Sequence, residues 1–447
     1  MNNFFRVNHN SSKSKARLGE IKTDHGVINT PAFLATATKG TIKTLTPQQV
    51  KEIGIQGACV NTYHLVTHPG ADVIEKAGGI QKYSRLNIFT MSDSGGFQVF
   101  SLARDKTRQS NFYHTRVSPL RGPLESEKIT STSSLPTKKA DVRGEEEPFV
   151  IKISEDGVKF RSIFDGTIIE FTPEKSMEFQ KKIGADINIA FDECTYYPAT
   201  HGYAEKAMKR THEWLKRCIN YNKSEIRNPK SETNSKRFEN SNLKNSKIVS
   251  SFDIRASNLN RYLYGVIQGG TFEDLRKKSA EFVVSQDTPG VAIGGVSVGE
   301  SKKEMRDQVR WVSDYLPSDR PVHLLGVGQI DDIIDLVKYG VDTFDCVEPT
   351  RLARMGTIYQ IGKARYGAQV SSFSVQIEIT KSLYKNNFEK VDVDCECYVC
   401  QNFTKSYLHH LFKQREILSY TLATFHNLWV MEKLFEGIRK AIGKDLI

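Results

Sequence analysis

The sequence has no apolar run of the roughly 20 residues that a membrane-spanning helix needs. Its opening stretch, Met1 to Lys15, lacks the apolar core of a secretory signal. Hydrophobic residues fill only 38% of 447 positions, low for an enzyme of this size, which predicts polar insertions diluting an ordinary core. Cysteine is sparse and odd in number, 7 in all, with three of them clustered. That count argues against a disulfide framework and for a metal in a reducing compartment, and the cytoplasm is the expected location. Acidic residues are in deficit: 63 Lys and Arg face 52 Asp and Glu, giving a formal net charge of +11. The excess favours a polyanionic partner, nucleic acid being the commonest, although a merely basic enzyme has the same balance.

What is present is a rhythm. Short strands are expected at Ala58–Thr62, Asn87–Met91, Asp186–Phe191, Tyr262–Ile267, Gly290–Ile293 and Val322–Leu325, with another from Asp342 to Val347. Each ends in a polar or glycine-rich cluster, and amphipathic stretches such as Tyr203–Tyr221, Thr271–Ser285 and Lys302–Tyr315 lie between them. Thr46 and Pro47 are placed as N-cap and first residue of a helix reaching Ile53. Strand, loop and helix repeated about eight times predict an α/β fold, a (β/α)8 TIM-type barrel with its chemistry on the loops after the strands. A doubly wound sheet fits less well, because no single glycine-rich turn dominates. Residues 104–148 and 222–258 break the rhythm and are expected to be polar insertions. The expected division is a catalytic barrel over 1–380 and a zinc-binding subdomain with C-terminal helices over 381–447.

Five groups of residues carry chemistry. Cys395, Cys397 and Cys400 precede an amphipathic stretch and then His426, a set suited to a closed, structural zinc site. His409 and His410 are competing fourth ligands; His426 is preferred because it lets a helix from Thr404 to Leu418 fold back over the thiolates. Asp345 sits at the end of a core strand with Arg351 and Arg354 just beyond, which suits a nucleophile aimed at a sugar whose phosphates are held by arginine. The same residues also fit an Asp capping a turn beside two solvated arginines. In Ser92-Asp-Ser-Gly-Gly-Phe-Gln98, Gly95 and Gly96 allow close backbone approach, Phe97 offers a stacking face and Asp93 a second carboxylate. Asp192 supplies a third, able to accept the paired N–H groups of a guanine edge. Gln268 and the backbone after Gly294 are candidate donors to the base carbonyl.

These motifs, together with Gly265-Val-Ile-Gln-Gly-Gly270, Gly294-Gly-Val-Ser-Val-Gly-Glu300 and Phe344-Asp-Cys-Val-Glu-Pro-Thr-Arg351, resemble in order those of the queuine/tRNA-guanine transglycosylase family. The resemblance implies a pentosyltransferase of queuosine biosynthesis. Guanine at the wobble position of tRNAs with GUN anticodons (those for Asp, Asn, His and Tyr) is exchanged for a 7-deazaguanine. It implies Asp345 as nucleophile forming a covalent glycosyl-enzyme, and Asp93 as general acid/base. Ser94, Gly95, Gly96, Asp192, Gln268 and Gly295 would hold the base, between Phe97 and Leu325. Gly326, Val327, Gly328, Gln329, Ile330, Asp331 and Asp332, with Thr350, Arg351, Leu352, Ala353 and Arg354, would meet tRNA. Val298 and Cys194 point to the bacterial type, which uses 7-aminomethyl-7-deazaguanine. One Zn2+ per chain and a homodimer are also implied. Leu352 stands where the family commonly has Asn, and Leu325 where Met often stacks. A transglycosylase acting on DNA and a non-catalytic tRNA-binding subunit are the competing readings. Retention of both Asp93 and Asp345 argues against the subunit.

Overall fold

The computed structural model describes residues 4–97, 149–162, 166–227, 262–361 and 376–447. The expected insertion over 104–148, and Gln98 of the glycine motif, lie outside them. The second expected insertion is revised at its start, because the helix His201–Arg227 runs on past residue 222; the remainder, 228–258, is outside the described residues.

Eight parallel strands close into a barrel: Ala32–Thr36, Gly57–Asn61, Phe89–Asp93, Ile187–Ile189, Tyr262–Ile267, Gly290–Ile293, Val322–Leu324 and Thr343–Cys346. The eighth pairs back onto the first, with Asp345 opposite Leu34. Strands such as Gly57–Asn61 and Gly290–Ile293 are buried along their whole length, so they read as continuous apolar runs rather than alternating ones. Leu34, Met91, Ile189, Val266 and Ala292 fill the barrel interior, and Phe4, Ile21 and Ile28 of an N-terminal antiparallel sheet join the same cluster. That sheet is tied to the eighth strand by Arg17, whose guanidinium donates to Asp342 at 2.9 and 2.6 Å.

Local chemistry explains most boundaries. Thr46 and Gln49 form a reciprocal capping box at the start of Pro47–Ile53, and Gly54 ends that helix at φ 84°. The third strand is two residues later than expected, so Asp93 closes it instead of opening the loop. The fourth is shorter than expected, leaving Asp192 three residues past its end at Ile189. A three-stranded antiparallel sheet, Phe149–Ser154, Gly157–Arg161 and Ile168–Phe171, was not expected. The single helix expected over Thr404–Leu418 is two: Thr404 caps Lys405–Lys413, Arg415 turns the chain at φ 58°, and Leu418–Ile442 follows. Among the described residues no helix is long and apolar enough to cross a membrane.

Candidate active site and metal centre

Every residue expected to meet the base lies at or just beyond the C-terminal end of a barrel strand. Asp93 is register partner to Asn61, the last residue of the second strand. Its carboxylate accepts from Asn61 Nδ2, from Thr62 N at 3.0 Å and from Gly95 N at 3.1 Å. Asn61 is itself fixed, because its Oδ1 accepts from His64 N at 3.0 Å and caps the helix Thr62–Thr67. Burial pushes the Asp93 carboxyl up to about 7; the two backbone donors oppose this, and the charges of Asp345 and Asp192 add to it.

Asp345 stands on the eighth strand. Its Oδ1 accepts from Gly326 N at 3.1 Å and lies 3.2 Å from Nε2 of His323 on the seventh strand. The two acids share one electrostatic neighbourhood: the buried Cys59 thiol is pushed well up, first by desolvation and then by the charges of both Asp345 and Asp93.

Asp192 accepts from Ser94 Oγ at 2.9 Å and from Gln268 Nε2 at 2.7 Å. Burial raises its carboxyl to about 6 against the pull of these two bonds. Gly96 makes the approach possible, since a Cβ there would lie 2.4 Å from the Asp192 carbonyl oxygen. Gln268 therefore spends its amide N–H on Asp192, and its buried Oε1 has no hydrogen-bond partner. Gly295 lies directly against that oxygen, where a Cβ would come within 2.2 Å. The carbonyls of Gly294 and Gly295 accept from Arg276 at 2.6 and 2.8 Å, which fixes this loop from behind. Phe97 is 44% exposed, and Leu325 is half-buried against the barrel-interior cluster.

The residues expected to meet tRNA divide by exposure. Gly326, Asp331 and Arg351 are exposed, and Gln329, Leu352 and Arg354 half-buried. Val327, Gly328, Ile330, Asp332, Thr350 and Ala353 are buried and shape the loops from beneath. Gly328 is packed so closely that a Cβ would lie 2.3 Å from Cys346 Cβ, on the strand that carries Asp345. Asp332 is 3% exposed and held by Arg306 at 2.6 Å, so its side chain is engaged within the fold.

Cys395, Cys397, Cys400 and His426 are all buried, with ligand atoms within 4.8 Å of one another. His426 Nδ1 lies 3.7, 3.5 and 3.3 Å from the three sulfurs in that order. Its Nε2 donates to the Tyr359 carbonyl at 2.8 Å, which leaves Nδ1 with a free lone pair aimed at the thiols. Three soft donors and an oriented imidazole fit a metal ion. Of the two competing ligands, His409 faces away, its Nδ1 2.7 Å from the Ile379 carbonyl, and His410 is exposed and outside the cluster. Asn427, next to His426, accepts from Tyr359 N at 3.0 Å and donates to the carbonyls of Pro349 at 3.2 Å and Thr357 at 3.0 Å.

Sequence reasoning missed His323, Asn61, Thr62 and Arg276. Asn61-Thr62 had a readable signal, a polar pair closing an apolar strand in the position of every other cluster. His323 and Arg276 had none, because their partners are set by barrel register and loop packing.

Comparison with known proteins agrees with this geometry. The family model described as queuine tRNA-ribosyltransferase matches residues 11–131 and 111–447. The queuine tRNA-ribosyltransferases of Caldanaerobacter subterraneus subsp. tengcongensis and Thermoanaerobacter pseudethanolicus are each 38% identical over 441 residues, covering 99% of this chain and 94% of those proteins. That of Herpetosiphon aurantiacus is 36% identical over 446 residues, covering 100% of this chain and 90% of the relative. With those matches spanning the barrel, the acidic loops and the cysteine cluster, the chain belongs to the queuine tRNA-ribosyltransferase family.

Proposed function

We propose that this protein is a tRNA-guanine transglycosylase that exchanges guanine at the wobble position of tRNAs with GUN anticodons for 7-aminomethyl-7-deazaguanine. What supports the reading is that Asp93 ends the third barrel strand and Asp345 stands near the end of the eighth, with the charge of Asp345 among the causes that raise the Asp93 carboxyl.

The target nucleotide leaves its stack to reach the mouth. Oδ1 of Asp345 is held by Gly326 N, leaving Oδ2 to attack the ribose C1′. A C1′–O bond forms as the C1′–N9 bond breaks, and Asp93 gives its proton to the departing guanine. The incoming base loses its N9 proton to Asp93, its nitrogen attacks C1′, and the Asp345 carboxylate departs. Two displacements retain configuration at the sugar, as in a retaining glycosidase. A carboxyl near 7 is suited to both proton transfers at neutral pH. Asp192 takes the N–H pair of the base edge, the Gly295 loop and Gln268 face its carbonyl, and Phe97 and Leu325 flank its ring.

Arg351 and Arg354, on the helix Glu348–Arg354 just after the nucleophile, meet the phosphates near the flipped nucleotide. Cys395, Cys397, Cys400 and His426 hold one structural Zn2+, which when bound ties the C-terminal subdomain to the barrel and supplies folding energy. The enzyme works in the cytoplasm as a homodimer.

The test is exchange of radiolabelled guanine into tRNA and into duplex DNA, with Asp345→Ala beside the wild type. Label enters tRNA alone, and Asp345→Ala forms no covalent RNA adduct on denaturing gels. Label in DNA only, label in neither nucleic acid, or an adduct with Asp345→Ala overturns the reading.

A further inference from the structure

The ring of His323 bridges two side chains of the neighbouring strand. Nε2 lies 3.2 Å from Asp345 Oδ1 and Nδ1 lies 2.9 Å from Thr343 Oγ1. Thr343 and His323 are register partners, and Thr343 and Asp345, two apart, point to the same side of their strand. His323 is 0% exposed and Thr343 1%, so water does not compete for either contact. Neither residue enters the proton transfers derived above.

We propose that His323 is a positioning residue for the nucleophile, and that the Thr343 hydroxyl sets its tautomer. The inference rests on Asp345 being the attacking carboxylate. The Thr343 hydroxyl donates to Nδ1, which puts the ring proton on Nε2, where it donates to Asp345 Oδ1. Oδ1 then receives two donors, the imidazole N–H and Gly326 N–H, while Oδ2 has no hydrogen bond among the described residues. This asymmetry does two things. It fixes the carboxylate's rotation, so that one oxygen faces the mouth in a near-attack orientation. It also leaves the lone pairs of the other oxygen unengaged, so that oxygen forms the C1′–O bond.

The experiment is single-turnover formation of the covalent RNA adduct, read on denaturing gels, with the dissociation constant for tRNA measured on the same proteins. His323→Phe keeps a ring of similar size without the donor, and adduct formation slows about tenfold or more with tRNA affinity unchanged. His323→Gln carries an amide N–H near the Nε2 position and returns the rate to within a few-fold of wild type. Thr343→Val, close to isosteric, removes only the hydroxyl that fixes the tautomer and slows the step about fivefold. Thr343→Val stands as its own arm should the buried Phe disturb folding. A wild-type rate in Thr343→Val or His323→Phe overturns the proposal, as does a His323→Gln enzyme no faster than His323→Phe. Asp345→Asn separates the two layers: an adduct from that variant sinks the assignment of the nucleophile, whereas its silence beside a fast His323→Phe sinks only the role of the imidazole.

Discussion

Gln268 donates its side-chain amide to Asp192 across 2.7 Å, so the carboxylate proposed to take the base edge is itself held by a residue just past the neighbouring strand. An ionised carboxylate has about four acceptor positions, which leaves room for the two N–H groups of guanine beside Gln268 and Ser94. Asp192→Asn removes the charge and turns one acceptor into a donor facing another donor. Labelled-guanine exchange is expected to fall about 30-fold, carried mostly by the KM for the base, from charge-assisted bonds worth about 2 kcal/mol. An unchanged KM for guanine takes Asp192 out of the base site.

The pH dependence follows from Asp93. Burial raises its carboxyl to about 7, so the proton that the proposed mechanism takes from it for departing guanine is present below that pH and lost above it. Single-turnover adduct formation is therefore expected to fall roughly tenfold per pH unit above about 7. Capture of the incoming base needs the ionised form and runs the other way, rising with pH to a plateau. Measuring both half-reactions between about pH 6 and 9 checks the pair; parallel profiles assign the proton to another group.

Removal of the metal is expected to cost stability before it touches the catalytic acids. Metal analysis should find about one zinc per chain. His426→Ala, or a strong chelator on the wild type, should lower the melting temperature by about 10 °C, and the variant should no longer respond to chelator. A His426→Ala protein that keeps its zinc points to a different fourth ligand.

Arg351→Ala and Asp332→Ala should behave differently although both lie in the expected tRNA-contacting segments. Arg351 is exposed, so its loss should weaken tRNA binding and lower the log–log salt slope by about 1. Asp332 is buried against Arg306, so its loss should cost about 2 kcal/mol of folding stability and leave the salt slope alone. Binding titrations in two salt concentrations and a thermal melt separate the outcomes.

Periodicity made the barrel legible, because parallel strands buried on both faces read as apolar runs and their loops collect the glycines and acids. Asp93, Asp192, Asp345 and the Cys395 cluster were legible for the same reason, since each motif is contiguous. His323 was not. It reads as an ordinary residue within a short apolar strand, and only the register His323↔Thr343 puts its ring between Thr343 and Asp345. The break at Arg415 was also hidden, because a left-handed turn at a residue other than glycine carries no composition signal. The burial of Asp332 was hidden for a third reason: a contiguous motif says which loop a residue belongs to, and packing decides which way its side chain faces.

His426 and Asn427 are consecutive, one turned to the cysteines and the other to the carbonyls of Pro349 and Thr357. A metal held there would serve as a datum from which the helix Glu348–Arg354, just past Asp345, is surveyed. Loss of a metal from that cluster would loosen this alignment as the fold itself weakens. Substitutions around the cysteines are then expected to surface as errors of aim at a sugar they never touch.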